Sequence, residues 1–227
     1  MIALNFQPID GTEEIAIQDL IQNKDALVQG NSATDSDQIQ VWDGSSFTTY
    51  FYRNYTTKIP KFTDGPGWVK QGTTTKKTDA TIKRGQGVWF ARPATASAGT
   101  ITMSGQVSAL PKTHAIGVGF NMISSAFPTD MKLNDGPIDW EACGAVKGNS
   151  ATDSDQIQVW DGNAFTTYFY RNYTTKIPKF TDGPGWVKQG TTTKKADVTI
   201  TAGQGFWYAR PESAAAGTLI ELSPLAK

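Results

Sequence analysis

Asp37–Arg53 reads DQIQVWDGSSFTTYFYR. In its first half Ile39 and Val41 fall on one side, while Gln38, Gln40 and Trp42 fall on the other, the period of two that marks a half-buried strand. Asp43-Gly44-Ser45-Ser46 has turn composition, because Gly accepts positive φ and Asp bonds the amides ahead of it. The return half is rich in Thr and aromatic rings, which suit a pleated surface. Tyr50 and Tyr52 share one face and Phe51 takes the other. The stretch predicts a β-hairpin, and the same hairpin recurs at Asp155–Arg171.

The recurrence is wider than the hairpin. Gly30–Lys77 is repeated as Gly148–Lys195, 118 positions later, and only Ser45 and Ser46 change, to Asn163 and Ala164. Similarity continues through GQGVWFARP (85–93) and GQGFWYARP (203–211), then Gly99-Thr100-Ile101 and Gly217-Thr218-Leu219. Upstream, MIALNF (1–6) resembles MISSAF (122–127). One unit spans about 110–120 residues, enough to bury a core of its own. A packed core tolerates apolar swaps, so packing alone does not require such identity. Either the duplication is recent or both copies present the same surface.

Further strand signals flank the hairpin. Asp79–Lys83 and Val88–Arg92 bracket a turn at Arg84–Gly87, and their copy spans Asp197–Arg210. Gly99–Ser104 and Gly217–Leu222 add a last strand to each unit. Tyr55–Thr75, with Pro60 and Gly65-Pro66-Gly67, predicts a long loop pinned by Trp68. Helix is scarce: Thr12 can cap a short turn with Glu13 and Glu14 behind it, continuing through Ile15–Gln22. The corresponding Met131–Trp140 holds Gly136-Pro137 and predicts a loop. The chain is therefore expected to be all-β: two tandem antiparallel β-sandwich or barrel domains from an internal duplication, 1–107 and 108–227, joined around Gly105–Pro111.

His114–Met122 (HAIGVGFNM) alternates as one strand, with Ile116, Val118, Phe120 and Met122 on a common face. Met122 aligns with Met1, so the first copy shows no counterpart of this strand. Two readings stand. A leader and this strand were clipped or unrecorded, or the first domain receives the strand from another chain. The apolar residues that would carry such assembly are Met1, Ile2, Leu4 and Phe6 in the first copy, and Ile116, Val118 and Phe120 in the second.

Composition narrows the function. Twenty-one basic residues balance 21 acidic ones, which removes the electrostatic footprint of a nucleic-acid binder. No apolar run reaches the roughly 18–20 residues of a membrane span. Cys143 is the only cysteine, so no internal disulfide forms and a four-cysteine zinc site is excluded. Abundant Thr, Ser, Gly, Asn and aromatics, with 19% charged residues against the usual ~25%, favour an extracellular or cell-surface location.

The best binding signal is aromatic: Trp42, Tyr50, Tyr52, Tyr55, Trp68, Trp89 and Phe90, repeated as Trp160, Tyr168, Tyr170, Tyr173, Trp186, Trp207 and Tyr208. Flat rings suit the C–H faces of a glycan, and two identical platforms would add avidity. The same rings also read as core or cross-strand pairs. Asp35, Asp37 and Asp43, with Asp153, Asp155 and Asp161, lack the glycine and distant glutamate of an EF-hand loop; Asx turns explain them, and no metal or other cofactor is expected. His114 and Cys143 could form a nucleophile pair, but neither recurs in the other copy. No catalytic set is expected. Asn54-Tyr55-Thr56 and Asn172-Tyr173-Thr174 match the glycosylation sequon.

The string QIQVWDG…FTTYFYR…GWVK…GQGVWFARP…GTITMSGQV, followed by GFNMISSAFP, resembles a class of uncharacterised exported tandem β-repeat proteins of Verrucomicrobia and related bacteria. The resemblance implies export and a surface role, and no reaction. The leading expectation is an exported structural subunit that self-associates into a filament or surface array, possible through strand donation. The alternative is a bivalent carbohydrate-binding protein.

Overall fold

The computed structural model describes residues 1–54, 65–73, 76–172, 183–191 and 194–226. The first copy contains β1 (Ile2–Ala3), β2 (Glu14–Ala16), helix α1 (Ile17–Leu20), β3 (Gln38–Trp42), β4 (Phe47–Arg53), β5 (Gly67–Lys70), β6 (Thr81–Lys83) and β7 (Gly87–Ala91). The second contains β8 (Lys112–Ile116), β9 (Gly119–Ser124), β10 (Met131–Lys132), β11 (Gln156–Trp160), β12 (Phe165–Arg171), β13 (Gly185–Lys188), β14 (Thr199–Ile200), β15 (Gly205–Arg210) and β16 (Gly217–Glu221). The protein is all-β and antiparallel, and among the described residues no sheet closes into a barrel.

Each copy builds a five-stranded sheet in the same order, β1-β7-β3-β4-β5 and β9-β15-β11-β12-β13. The predicted hairpin forms in both, with Ile39 opposite Tyr50 and Ile157 opposite Tyr168. Its turn carries the only two differences inside the identical block. Asp43 accepts from the amides and hydroxyls of Ser45 and Ser46, which hold its carboxyl down to about 2. Asp161 accepts from the amides of Asn163 and Ala164 and is also lowered.

Two separate apolar clusters lie behind these sheets. In the first, Ile39, Tyr50, Tyr52, Trp68 and Val88 pack with Leu4, Phe6, Ile17, Leu20, Ile21 and Ile82. In the second, Ile157, Tyr168, Tyr170, Trp186, Phe206 and Tyr208 pack with Ile116, Met131, Leu133, Trp140, Ile200 and Leu219. On the far side of each sheet Phe51 and Val69, or Phe169 and Val187, form a smaller cluster.

Three local expectations are corrected. Glu14–Ala16 is a strand rather than the start of a helix, because Ile15 pairs with Ile82; α1 is confined to Ile17–Leu20. Trp68 does not pin a loop from outside: it lies in β5, paired opposite Tyr52. His114–Met122 is two strands. Gly119 takes φ +81, and the Asn121 side chain bonds both the N–H and C=O of Gly117. The break sends β8 to β16 and β9 to β15, and it reverses the parity: Ile116 is buried while Val118 and Phe120 are exposed.

Candidate functional site

The aromatic residues divide by depth. Tyr50, Tyr52, Trp68, Tyr168, Tyr170 and Trp186 are buried. Alternation turns them into the core on the face that Ile39 and Ile157 share, so they form no exposed platform. Tyr55 and Tyr173, with Thr56 and Thr174 of the two sequons, lie outside the described residues, whereas Asn54 and Asn172 are half-buried at their margin. Trp42 and Trp160 sit where the two copies meet. Trp42 packs edge-on to Trp207 at 5.4 Å and donates its Nε1–H to the carbonyl of Phe120. Trp160 packs edge-on to Trp89 at 5.8 Å, and its carbonyl accepts from Gln204 Nε2. These rings join one copy to the other. Backbone pairing crosses the same junction at Ile2 with Gln204 and at Gln86 with Ile123. Phe120 is therefore a lip of the junction. Ile2 pairs with Val88, and Leu4 and Phe6 are core residues.

The acidic residues serve local structure. Asp35 and Asp153 close capping boxes with Ser32 and Ser150. Buried Asp37 receives a two-pronged bond from Arg92, Nε at 2.9 Å and Nη2 at 2.7 Å. In the second copy Tyr208 replaces Phe90, and its hydroxyl donates to Asp155 Oδ2 at 2.5 Å. Arg210 Nη1 is pushed back to 4.0 Å, leaving Asp155 Oδ1 and Arg210 Nε and Nη1 without a hydrogen-bond partner. Burial accordingly raises the Asp155 carboxyl above the usual range, against the Tyr208 bond.

His114 and Cys143 do not form a nucleophile pair. His114 Nε2 lies 3.0 Å from Glu221 Oε2, whereas Cys143 Sγ accepts the amide of Ile220 at 3.2 Å. Glu221 also accepts Ser125 Oγ at 2.5 Å and the Ala126 amide at 2.9 Å. The serine hydroxyl meets the carboxylate and not the imidazole, so it is not paired with the histidine as in a Ser–His nucleophile. This buried network instead ties β8 and β16 to the turn after β9. Sequence reading missed it because none of its members recurs in the first copy.

The copies differ most in how their sheet edges are covered. In the second, β9 pairs with β15 from Gly205 to Arg210, and β8 pairs with β16 from Gly217 to Glu221. In the first, β1 covers only Gly87 and Val88. Among the described residues no strand lies on that side of Trp89–Arg92, nor on the outer side of Gly99–Met103. The expected Gly99–Ser104 strand does not form. Exposure follows the coverage. Trp207–Arg210 are buried, while Trp89–Arg92 are half-buried. Leu219 and Glu221 are 0% and 1% exposed, while their counterparts Ile101 and Met103 are half-buried. The inner side of this edge is occupied: Gln22 N donates to Thr102 O, Thr102 N to Asn23 Oδ1, and Asn23 Nδ2 to Thr100 O. Successive backbone groups alternate in direction along an extended segment. Those of Ile101 and Met103 therefore face outward, as those of Leu219 and Glu221 face β8.

A second feature is duplicated. A 460 Å³ pocket in the first copy is lined by Gln18, Asp19, Asp25, Tyr52, Pro66 and Lys77. A 360 Å³ pocket in the second is lined by Asn134, Asp135, Asp139, Tyr170, Pro184 and Lys195. Gln18 and Asn134 play one role from diverged segments: each carboxamide bonds both the N–H and C=O of Trp68 or Trp186. Gly67 and Gly185 leave room for the lysines: a Cβ there would come within 2.6 Å of the Lys77 or Lys195 ε-carbon and displace that flexible side chain. Burial pushes both tyrosine hydroxyls up, and Glu141 and Asp139 add to the effect at Tyr170. Both phenols therefore stay neutral donors at ordinary pH.

No family model, curated protein or solved structure matches this chain. Among the described residues no helix is long and apolar enough to cross a membrane.

Proposed function

We propose that the protein is a non-enzymatic, exported structural protein that self-associates by β-strand addition, as the subunit of an extracellular filament or cell-surface array. Among the described residues no strand covers Trp89–Arg92 or the outer side of Ile101–Met103, and this carries the reading. An exposed row of unpaired N–H and C=O groups is a template for another chain. Here the second copy displays what coverage of the equivalent edge does to exposure. Export rests on the composition and on the sequence resemblance. Light scattering across a concentration series, followed by negative-stain microscopy, tests the proposal. Reversible growth above monomer mass is expected, and monomers at every concentration would refute it.

The duplicated pocket favours a second reading, a bivalent binder of a hydroxyl-rich ligand such as a glycan. Each pocket offers carboxylates, a phenol and a lysine within a volume suited to one or two sugar rings. A glycan array comparing the native chain with a Lys77→Ala, Lys195→Ala double variant tests it. Loss of a glycan signal in the variant is expected, and an array blank for the native chain would remove the idea.

A further inference from the structure

We infer that a groove between the two copies takes an extended peptide of a partner protein, which adds as a strand to the outer edge of β8 and carries an apolar residue at one end and a carboxylate at the other.

β8 has one paired side and one free side. Ile220 N–H donates to Cys143 Sγ and Leu222 N–H to the carbonyl of Pro137, so alternate residues of β16 turn their backbone away from β8. Ile220 stands opposite Thr113, and Thr218 opposite Ala115. Opposed residues of an antiparallel ladder exchange both hydrogen bonds or neither. The N–H and C=O of Thr113 and Ala115 therefore face away from β16, and among the described residues nothing bonds them. Both residues are exposed.

Thr113 and Ala115 line a 590 Å³ groove, and residues 83–86 of the first copy line it from across the junction. Thr81 of β6 lines it as well. Ile17 N–H donates to Ala80 O and Arg84 N–H to Glu13 O, which makes Ile15 and Ile82 a bonded pair and turns the Thr81 backbone away from β2. That backbone too is unpaired among the described residues. Two strand edges, one from each copy, thus border one groove. Unpaired N–H and C=O groups in a row accept an added strand.

The lining selects the peptide. Lys112 begins β8, and Phe120 follows the Gly117–Gly119 break at its other end. At the Phe120 end Trp42 and Phe120 present ring surface above buried Met122, which suits an apolar side chain. At the Lys112 end Glu13 accepts from Lys112 Nζ at 2.6 Å and from Arg84 Nε at 3.1 Å. Lys83 beside them has no ion-pair partner among the described residues. Asp43 lies next to Trp42 and lines the groove. A carboxylate on the peptide is drawn to Lys83 and repelled by Asp43, which sets the direction in which the peptide lies.

A library of displayed peptides about ten residues long, panned against the native chain, tests the inference. Enriched sequences should carry an apolar residue and an Asp or Glu about four positions apart, the span of β8. Ala115→Pro removes a donor that faces the groove and leaves the ladder to β16 whole, since proline is tolerated at an edge. It should weaken an enriched peptide about fivefold by fluorescence anisotropy, the loss of one hydrogen bond. Lys83→Glu, on the exposed rim, should weaken the same peptide, and changing the peptide's acid to lysine should restore binding to that variant. Hydrogen exchange should slow on binding at Thr113 and Ala115 and stay unchanged at His114, already paired with β16. No enrichment, or peptides that bind both variants as they bind the native chain, would overturn the inference. So would slow exchange at Thr113 and Ala115 in the native protein without peptide, which would show the edge already occupied by its own chain or by a second copy.

Discussion

A single oxygen separates the two copies at the buried Asp–Arg pair they share. Phe90 leaves Asp37 to Arg92, whereas the hydroxyl of Tyr208 takes Asp155 and displaces Arg210. A buried charge-assisted fork is strong, and orphaned buried polar atoms cost about 1–3 kcal/mol. Tyr208→Phe should let Arg210 close on Asp155 and stabilise the protein by about 1 kcal/mol in urea denaturation. The reverse change, Phe90→Tyr, should destabilise by a similar amount. The pH dependence has a defined sign. Burial raises the folded Asp155 carboxyl, so its contribution is complete below the unfolded value and lost as pH rises through the folded one. The advantage of Tyr208→Phe should therefore widen as pH rises from the ordinary carboxylate range through the raised folded value. An advantage constant with pH would show that Asp155 is not its source.

At the scale of elements, alternation and turn chemistry make the sheet strands legible. DQIQVWDG and FTTYFYR announce β3 and β4, and the repeat then supplies β11 and β12. What stays hidden has physical causes. β5 is four residues beside Gly65-Pro66, too short for a period and adjacent to loop punctuation. The division of β8 from β9 hides because Gly117 and Gly119 mimic the small positions of an alternating strand. The depth of the aromatic rings is hidden: Tyr50 and Tyr52 sit on the Ile39 face, and a sequence does not say which face a second layer covers. The difference in cover between Ile101 and Met103 and their counterparts Leu219 and Glu221 is hidden, because Met103 replaces Glu221 without disturbing any motif. The Glu221 network is illegible altogether, as residues 114, 125 and 221 share no local pattern.

On the scale of the whole molecule, the two copies pack through their GQG turns about an approximate two-fold. A Cβ on Gly87 would lie 2.8 Å from the carbonyl oxygen of Ile123, and one on Gly205 would lie 3.4 Å from the Cα of Gly87. Backbone cannot yield as a flexible side chain does. Gly87→Ala should therefore open the junction, strip Trp42 and Trp160 of their edge-on partners and cost about 1–3 kcal/mol. Tryptophan emission should shift to the red in the folded variant. Unchanged emission and stability would mean that the junction is looser than its close approaches imply.

The arrangement is that of a homodimer whose halves have been joined in one chain, and joining has a consequence for divergence. Identical free halves would have to carry every substitution twice. Tethered halves can change one at a time, and here Phe90 and Met103 stand where the second copy has Tyr208 and Glu221. Each half can therefore be retuned alone while the shared junction keeps the two in place.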